Sequence, residues 1–449
     1  MNRLLALAIA LMLTTPLNAQ ADQLAAEAQQ ALADLGCSPG PVDGQWGGRS
    51  DAALQRFNKE ASLDLSHPLS AEDLEQMRNA GANCPDPTRV PLAGLRGVGI
   101  NSAVLWSAAS TQDYRIPDLV INHFKPIDDF GFSHVAMVSC VDWIIGKPCK
   151  KPFQDEQGII ETVRLILDNT DLHVTLSFKG YEQGKRNGKD ISTFQKRLEA
   201  EKGVQDAFVQ QWGKFANEFK DVPRERMSFA LLNEPEFQFP SPTAAKRKKW
   251  EAIAMRAIKA IREVTPDRVV IYEGIAKSKF NERYKKGGNY KYSISTLMRP
   301  LPASDIVYGV HAYEPKKFLD QATRKIGYFG KPYTKQHARM VRNDGRLLAD
   351  WSKKFGVPVM VTETGCVSHV KGIEGPANPD DCGKFAADAY RHYVEQGIPV
   401  VWWAIEKERT IYVREKSDCR RTGGCDIWMP RNRIPDPHLF EAFRLNANP

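Results

Sequence analysis

The chain has 449 residues with 42% hydrophobic and 26% charged side chains, ordinary values for a folded globular protein that exclude a disordered or collagen-like chain. Its net charge of +8 is unevenly spread: residues 22–86 hold eleven acids against four Lys/Arg, which leaves +14 for residues 87–449. An acidic module is therefore joined to a basic one, and the length fits a small module plus one large domain.

Asn2 and Arg3 precede the apolar run Leu4–Leu13, and Ala19-Gln20-Ala21 offers a small-x-small cleavage site. That pattern predicts a signal peptide over 1–21, too short to span a bilayer, and hence export to the periplasm or extracellular space. No later apolar run is long enough to insert in a membrane. The eight cysteines agree with export, because disulfides persist in oxidising compartments. Pairing by proximity gives Cys37–Cys84, Cys140–Cys149, Cys366–Cys382 and Cys419–Cys425. The absence of a C-x-x-C pair speaks against zinc.

Residues 22–86 read as a small all-α module. Ala25, Ala28, Leu32 and Leu35 recur at helical spacing before Gly36, and a turn-rich loop through Asp43-Gly44-Gln45-Trp46-Gly47 leads to a helix bearing Ala53, Leu54 and Phe57. Leu35-Gly36, Asp43-Gly44, Gly47 and Phe57 resemble the peptidoglycan-binding-like domain family, with Asn58 where that family has glutamine. The resemblance implies contact with peptidoglycan or a purely structural appendage. Pro85–Pro91 is a proline-rich connector.

From residue 93 to 449 strand-like runs alternate with amphipathic helices. The predicted strands are 97–101, 134–139, 173–178, 227–232, 268–273, 306–310, 357–362 and 399–403. Eight such strands predict an α/β fold, a (β/α)8 TIM barrel, in which functional groups sit at the C-terminal ends of the strands. Polar residues do follow the apolar runs: Asn233-Glu234-Pro235 after the fourth, His311-Ala312-Tyr313 after the sixth, Glu363 after the seventh, and Trp402-Trp403 in the eighth. Pro235 ends ladder pairing, so Asn233 and Glu234 fall at the rim. Two carboxylates on one rim suit glycosidic cleavage, one neutral to protonate the leaving oxygen and one ionised to attack. A lone glutamate after a strand is ordinarily a solvated loop residue; the coincidence of four strand ends favours the chemical reading.

These residues resemble glycoside hydrolase family five, the cellulase family. The resemblance implies Glu234 as general acid/base, Glu363 as nucleophile, and Asn233, His311, Tyr313 and either Trp402 or Trp403 as substrate-binding or supporting groups. It implies no metal or organic cofactor. Leu95–Asn101 is similar to the family's first strand. Two positions depart: Ala136 stands where many members have an arginine on strand two, and Leu176–Gly180 lacks the histidine that often ends strand three. Glu236, Glu273, Glu314 and Glu406 read as subsite or structural residues.

The basic excess lies in segments after strands three (Lys179, Lys185, Arg186, Lys189), five (Lys277, Lys279, Arg283, Lys285, Lys286) and eight (Lys407, Arg409, Arg414, Lys416, Arg420, Arg421). Such runs are either solvated loops or a field that draws in an anionic glycan. Nucleic acid is a poor partner for an exported chain without aromatic-basic interleaving. The expectation is a monomeric, exported, retaining endo-β-glycosidase acting on a β-glucan or acidic exopolysaccharide. A peptidoglycan-directed hydrolase or transglycosylase, and a barrel that binds glycan without turnover, are the alternatives.

Overall fold

A computed structural model describes residues 17–37, 39, 42–84, 92, 95–101, 124–149, 155–186, 189–235, 244–275, 282–283, 290–291, 300–319, 332–366, 379–405 and 436–443. The chain divides into two compact units, Met1–Pro87 with Pro302–Ser304 and Thr88–Leu301 with Asp305–Pro449. The apolar run 4–13, the connector 85–91, Glu236, Glu406, the basic clusters 277–286 (apart from Arg283) and 407–421, and the pair Cys419 and Cys425 lie outside the described residues.

The first unit contains helices α1 (Leu17–Asp34), α2 (Gly48–Ala61) and α3 (Ala71–Asn79). The predicted apolar positions form its core: Ala28, Leu32, Ala53, Leu54 and Phe57 pack with Leu74 and Met77. The Cys37–Cys84 disulfide closes the unit. Buried Gln29 fixes the turn-rich loop, accepting at Oε1 from the amides of Asp43 (3.1 Å) and Gly44 (2.9 Å) and donating to Ser50 Oγ (3.1 Å). Gly44 has φ +74°, a left-handed conformation that favours glycine.

The second unit is a closed barrel of eight parallel strands: β1 (Arg96–Asn101), β2 (His134–Cys140), β3 (His173–Lys179), β4 (Met227–Ala230), β5 (Val269–Glu273), β6 (Ile306–His311), β7 (Val359–Thr364) and β8 (Val400–Trp403). Each strand pairs with the next in sequence, and β8 closes on β1. Helices α4 (Glu156–Asn169), α5 (Thr193–Ala200), α6 (Lys202–Glu218), α7 (Ala244–Arg262), α8 (Lys335–Phe355), α9 (Pro379–Val394) and α10 (Pro437–Phe443) follow the strands. Asp155 caps α4 by accepting from Gly158 N at 2.8 Å, and Ile159, Val163 and Ile166 form its buried stripe. The stripe of α6 is aromatic: Phe208, Trp212 and Phe215 are buried with Phe178 of β3 and Phe229 of β4. Among the described residues no helix is long and apolar enough to cross a membrane.

Alternation along each strand sorts side chains between this outer layer and the barrel interior. Inside, Leu92, Ala230, Val269, Ile271, Val307, Met360 and Val401 form an apolar plug against which Ala136 packs. Between β2, β3 and β4 lies a buried polar belt, His134–Thr175–Ser228–His173, with links of 2.7, 2.7 and 2.9 Å.

Two predicted strands end two residues away from the expected position. The regular ladder of β4 stops at Ala230 rather than Leu232, although Leu231 N still donates to Ile271 O and Asn233 N to Phe178 O. β7 runs from Val359 to Thr364 instead of 357–362, so Glu363 lies within the strand, opposite His311. Pairing passes from Val310↔Val361 to His311↔Glu363, which leaves Thr362 as an extra residue, a bulge. Three of the proximity-paired disulfides are present: Cys37–Cys84, Cys140–Cys149 and Cys366–Cys382.

Candidate active site

The rim of the barrel is built from the residues just past or at the strand ends. Past β4 the backbone turns sharply: Glu234 has φ +48°, a left-handed conformation that costs a residue with a side chain about 1–3 kcal/mol. Its backbone is clamped on both sides. Glu234 N donates to Glu273 Oε2 at 2.9 Å, and Gln195 Nε2 donates to Glu234 O at 3.2 Å. The β7 bulge does comparable work. Neighbouring residues in a strand ordinarily face opposite ways, but here Thr362 Oγ1 reaches Glu273 Oε1 (2.9 Å) while Glu363 also meets groups on the rim. Gly309 of β6 makes room, since a Cβ there would lie 2.9–3.1 Å from Thr362, Ile271 and Glu273.

Glu363 is held by two side-chain donors. Asn233 Nδ2 donates to its Oε1 at 2.8 Å and Tyr313 OH to its Oε2 at 3.0 Å. His311, 2% exposed, lies between three carboxylates: Nδ1 is 3.3 Å from Glu234 Oε1 and 3.2 Å from Glu363 Oε2, and Nε2 is 3.1 Å from Glu273 Oε1. Lys179, at the end of β3, donates to Glu234 Oε2 at 3.3 Å. One oxygen of Glu234 and one of Glu363 lie within 4.8 Å of each other and of a His311 nitrogen.

The charges follow from burial and these neighbours. Burial alone pulls the His311 imidazole down, but Glu273 and Glu363 outweigh it and hold the ring protonated, well above its ordinary range. Burial pushes Glu273 up, and the same His311 cation overcomes it, so its carboxyl sits below the usual value. Glu363 is raised, chiefly by burial and further by Glu234 and Glu273, with His311 and Lys179 opposing. Lys179 loses some proton affinity to burial and regains more from Glu234 and Glu363, ending above its ordinary value. The site thus holds three carboxylates and two cations, an arrangement suited to carrying one exchangeable proton between Glu234 and Glu363.

Glu234, His311 and Glu363 place their ligand atoms as a metal site would. The chain's own cations stand in the same place: Lys179 Nζ lies 3.3 Å from Glu234 Oε2, and His311 lies between Glu234 Oε1 and Glu363 Oε2.

Of the residues singled out in the sequence, Asn233, Glu234, His311, Tyr313 and Glu363 converge at one place. The two tryptophans separate. Trp403 shares the inward face of Val401 and covers Gly99, where a Cβ would meet its ring at 2.2 Å. Trp402 is 1% exposed and packs edge-on to Phe443 and beside Phe385 in the outer layer, which leaves it no surface for a ligand. Substrate binding by Trp402 is corrected on that ground. His311 meets the carboxylates of Glu234, Glu273 and Glu363, which makes it a support for them.

Four contributors were not identified as site residues: Lys179, Glu273, Thr362 and Gln195. In the sequence Lys179 reads as a loop cation and Glu273 as a subsite or structural residue. The signal in both cases was a charged residue terminating an apolar strand, the same signal that marked Glu363. Glu314 is half-buried.

Comparison with known proteins agrees with this architecture. The family model for cellulase (glycosyl hydrolase family 5) matches residues 155–409. Over 115 residues the chain is 32% identical to Endoglucanase 3 of Fibrobacter succinogenes (strain ATCC 19169 / S85), a match covering 25% of this chain and 15% of that protein. The chain therefore aligns with only a small part of that curated relative. Among solved structures, the endoglucanase Cel5A of Thermotoga maritima has 18% identity and a TM-score of 0.57, covering 80% of this chain and 100% of that one. The cellulose synthase subunit Z of Clostridioides difficile has 19% identity and a TM-score of 0.54, covering 78% and 99%. At these identities the structural likeness establishes the barrel. The family match, spanning more than half of the chain, goes further: this protein belongs to the cellulase family, glycosyl hydrolase family 5, and is a glycoside hydrolase.

Proposed function

We propose that the barrel cleaves internal linkages of a β-linked polysaccharide with retention of configuration. Glu363 attacks the anomeric carbon while Glu234 gives its proton to the departing glycosidic oxygen, leaving a glycosyl ester on Glu363. Glu234 then takes a proton from water, whose oxygen attacks the same carbon and frees Glu363. The observation that carries this reading is the approach of a Glu234 oxygen to within 4.8 Å of a Glu363 oxygen, nearer the spacing of a retaining pair than of an inverting one. Retaining pairs are spaced about 5–5.5 Å apart, inverting pairs about 6.5–9.5 Å.

The supporting groups have matching roles. Asn233 and Tyr313 aim Glu363 and favour its anion, and protonated His311 restrains the charge between both carboxylates. Trp403 offers an indole on the inner face, where a pyranose ring stacks through its apolar side. Glucan and mannan are both reasonable sugars for such a floor. Likeness to a hyperthermophilic endo-β-1,4-glucanase favours a β-1,4-glucan.

Three disulfides and the apolar N-terminal run support export to the periplasm or beyond. An anionic glycan remains part of the proposal through the basic excess of residues 87–449. Lys179 no longer counts toward it, because Glu234 occupies that ammonium. For the N-terminal unit, peptidoglycan contact rests on its resemblance and on the loop that Gln29 orders.

The test is a panel of β-1,3-, β-1,4- and mixed-linkage glucans, acidic exopolysaccharides and peptidoglycan, with products sized and salt varied. Wild-type protein should release oligosaccharides from a β-glucan, whereas Glu234→Gln and Glu363→Gln should each lose at least about a hundredfold in turnover while remaining folded. Near wild-type turnover in either variant would refute the assignment of that residue. Anionic recognition fails if neutral glucans are cleaved as well as acidic ones and salt changes nothing.

A further inference from the structure

Lys179 is the one cation other than His311 that the described residues bring to the carboxylate cluster. It extends from the end of β3, its side chain one-third exposed, and donates to Glu234 Oε2 at 3.3 Å. Its field also reaches Glu363. Without it, three carboxylates would face a single imidazolium, and one of them would have to take up a further proton in the resting protein.

We propose that Lys179 is a positioning residue that sets the pH window of hydrolysis by stabilising the anionic forms of Glu234 and Glu363 together. The proposal rests on the assignment of those two residues given above. The reaction needs Glu363 ionised and Glu234 protonated at the start. The low-pH limb of the rate profile therefore reports Glu363, and the high-pH limb reports Glu234. A cation beside both makes each carboxyl more acidic, which places both limbs at lower pH than burial alone would allow. It also stabilises the Glu234 carboxylate as its proton leaves for the glycosidic oxygen, so the departing group meets a stronger acid.

The other groups facing Lys179 are accounted for. Tyr181 follows on the same chain and contributes to its field. Asp142, beyond β2, is committed to the amides of Tyr181 and Glu182 at 2.7 and 2.8 Å. Cys140, which pairs with Lys179 across the sheet, is in a disulfide and does not titrate. From β5 and β6, Glu273 and His311 form their own ion pair and act on Glu363. Glu234 and Glu363 are thus the partners whose protonation Lys179 biases most directly.

The test is the pH profile of kcat/KM for wild type, Lys179→Met, Lys179→Gln and Lys179→Arg on the best-cleaved glucan of the panel, with Glu234→Gln and Glu363→Gln alongside. Lys179→Met should move both limbs to higher pH and lower kcat/KM at the wild-type optimum by at least about tenfold. Lys179→Gln keeps a donor without the charge and should behave like Lys179→Met, which guards against a folding defect in the more apolar variant. Lys179→Arg should return both limbs toward wild type. If the neutral variants lose rate with both limbs unmoved, Lys179 is a structural or substrate contact and the inference is wrong. If instead Glu234→Gln or Glu363→Gln stays active, the assignment beneath it has failed.

Discussion

Trp402 and Trp403 are adjacent and chemically identical, yet strand β8 turns one to the outer layer and the other to the rim. Their substitutions should separate accordingly. Trp402→Ala removes a ring packed with Phe385 and Phe443 and should cost about 3–5 kcal/mol of stability, with KM of the surviving fold little changed. Trp403→Ala should raise KM or lower kcat/KM at a smaller stability cost. Thermal unfolding and steady-state kinetics on both variants decide it, and the reverse pattern would place the wrong indole at the substrate. Neighbour alternation was legible in the sequence, but its phase was not, because the strand's two faces are both apolar. The same limit hid Lys179 and Glu273. A charge ending an apolar run reads alike whether it enters solvent or a carboxylate cluster; only the closing of β3 against β4, and of β5 against β6, distinguishes the two.

At the scale of elements, all eight strands of the barrel were legible because each is an apolar run ended by turn or polar residues. The β7 bulge was not legible. It depends on the partner's register, and it is what lets Thr362 and Glu363 both serve the rim. The belt across β2, β3 and β4 carries a consequence for stability. His173 is buried and held down to about 4, first by burial and then by Arg268 and Arg226, although its bond to Glu225 O favours the proton. His134 is lowered in the same direction by burial and by His173. Both rings are therefore neutral in the fold, while the unfolded chain takes up protons below about 6.5. Stability should fall as pH drops from about 6.5 toward about 4, by roughly 3 kcal/mol from His173 alone. Denaturant midpoints at pH 7 and 4.5 measure this; equal stability at both would contradict a neutral belt.

For the whole molecule, the barrel gathers onto one rim residues that are far apart in the sequence, from Lys179 to Trp403. Glu234 takes its backbone from Glu273, its cation from Lys179 and its partner carboxylate from β7. The order Asn-Glu, His-x-Tyr, Glu, Trp at the ends of β4, β6, β7 and β8 was enough to suggest the cellulase family, to which the chain belongs. The substrate was not legible, since linkage and sugar are read by loops whose composition only says that they are basic. Retention of configuration is the claim on which the roles of Glu234 and Glu363 stand together. The most direct measurement is proton NMR of the first product released from the cleaved β-glucan, recorded before mutarotation. The account predicts the β-anomer at the new reducing end; initial appearance of the α-anomer would mean inversion and would contradict Glu363 as nucleophile.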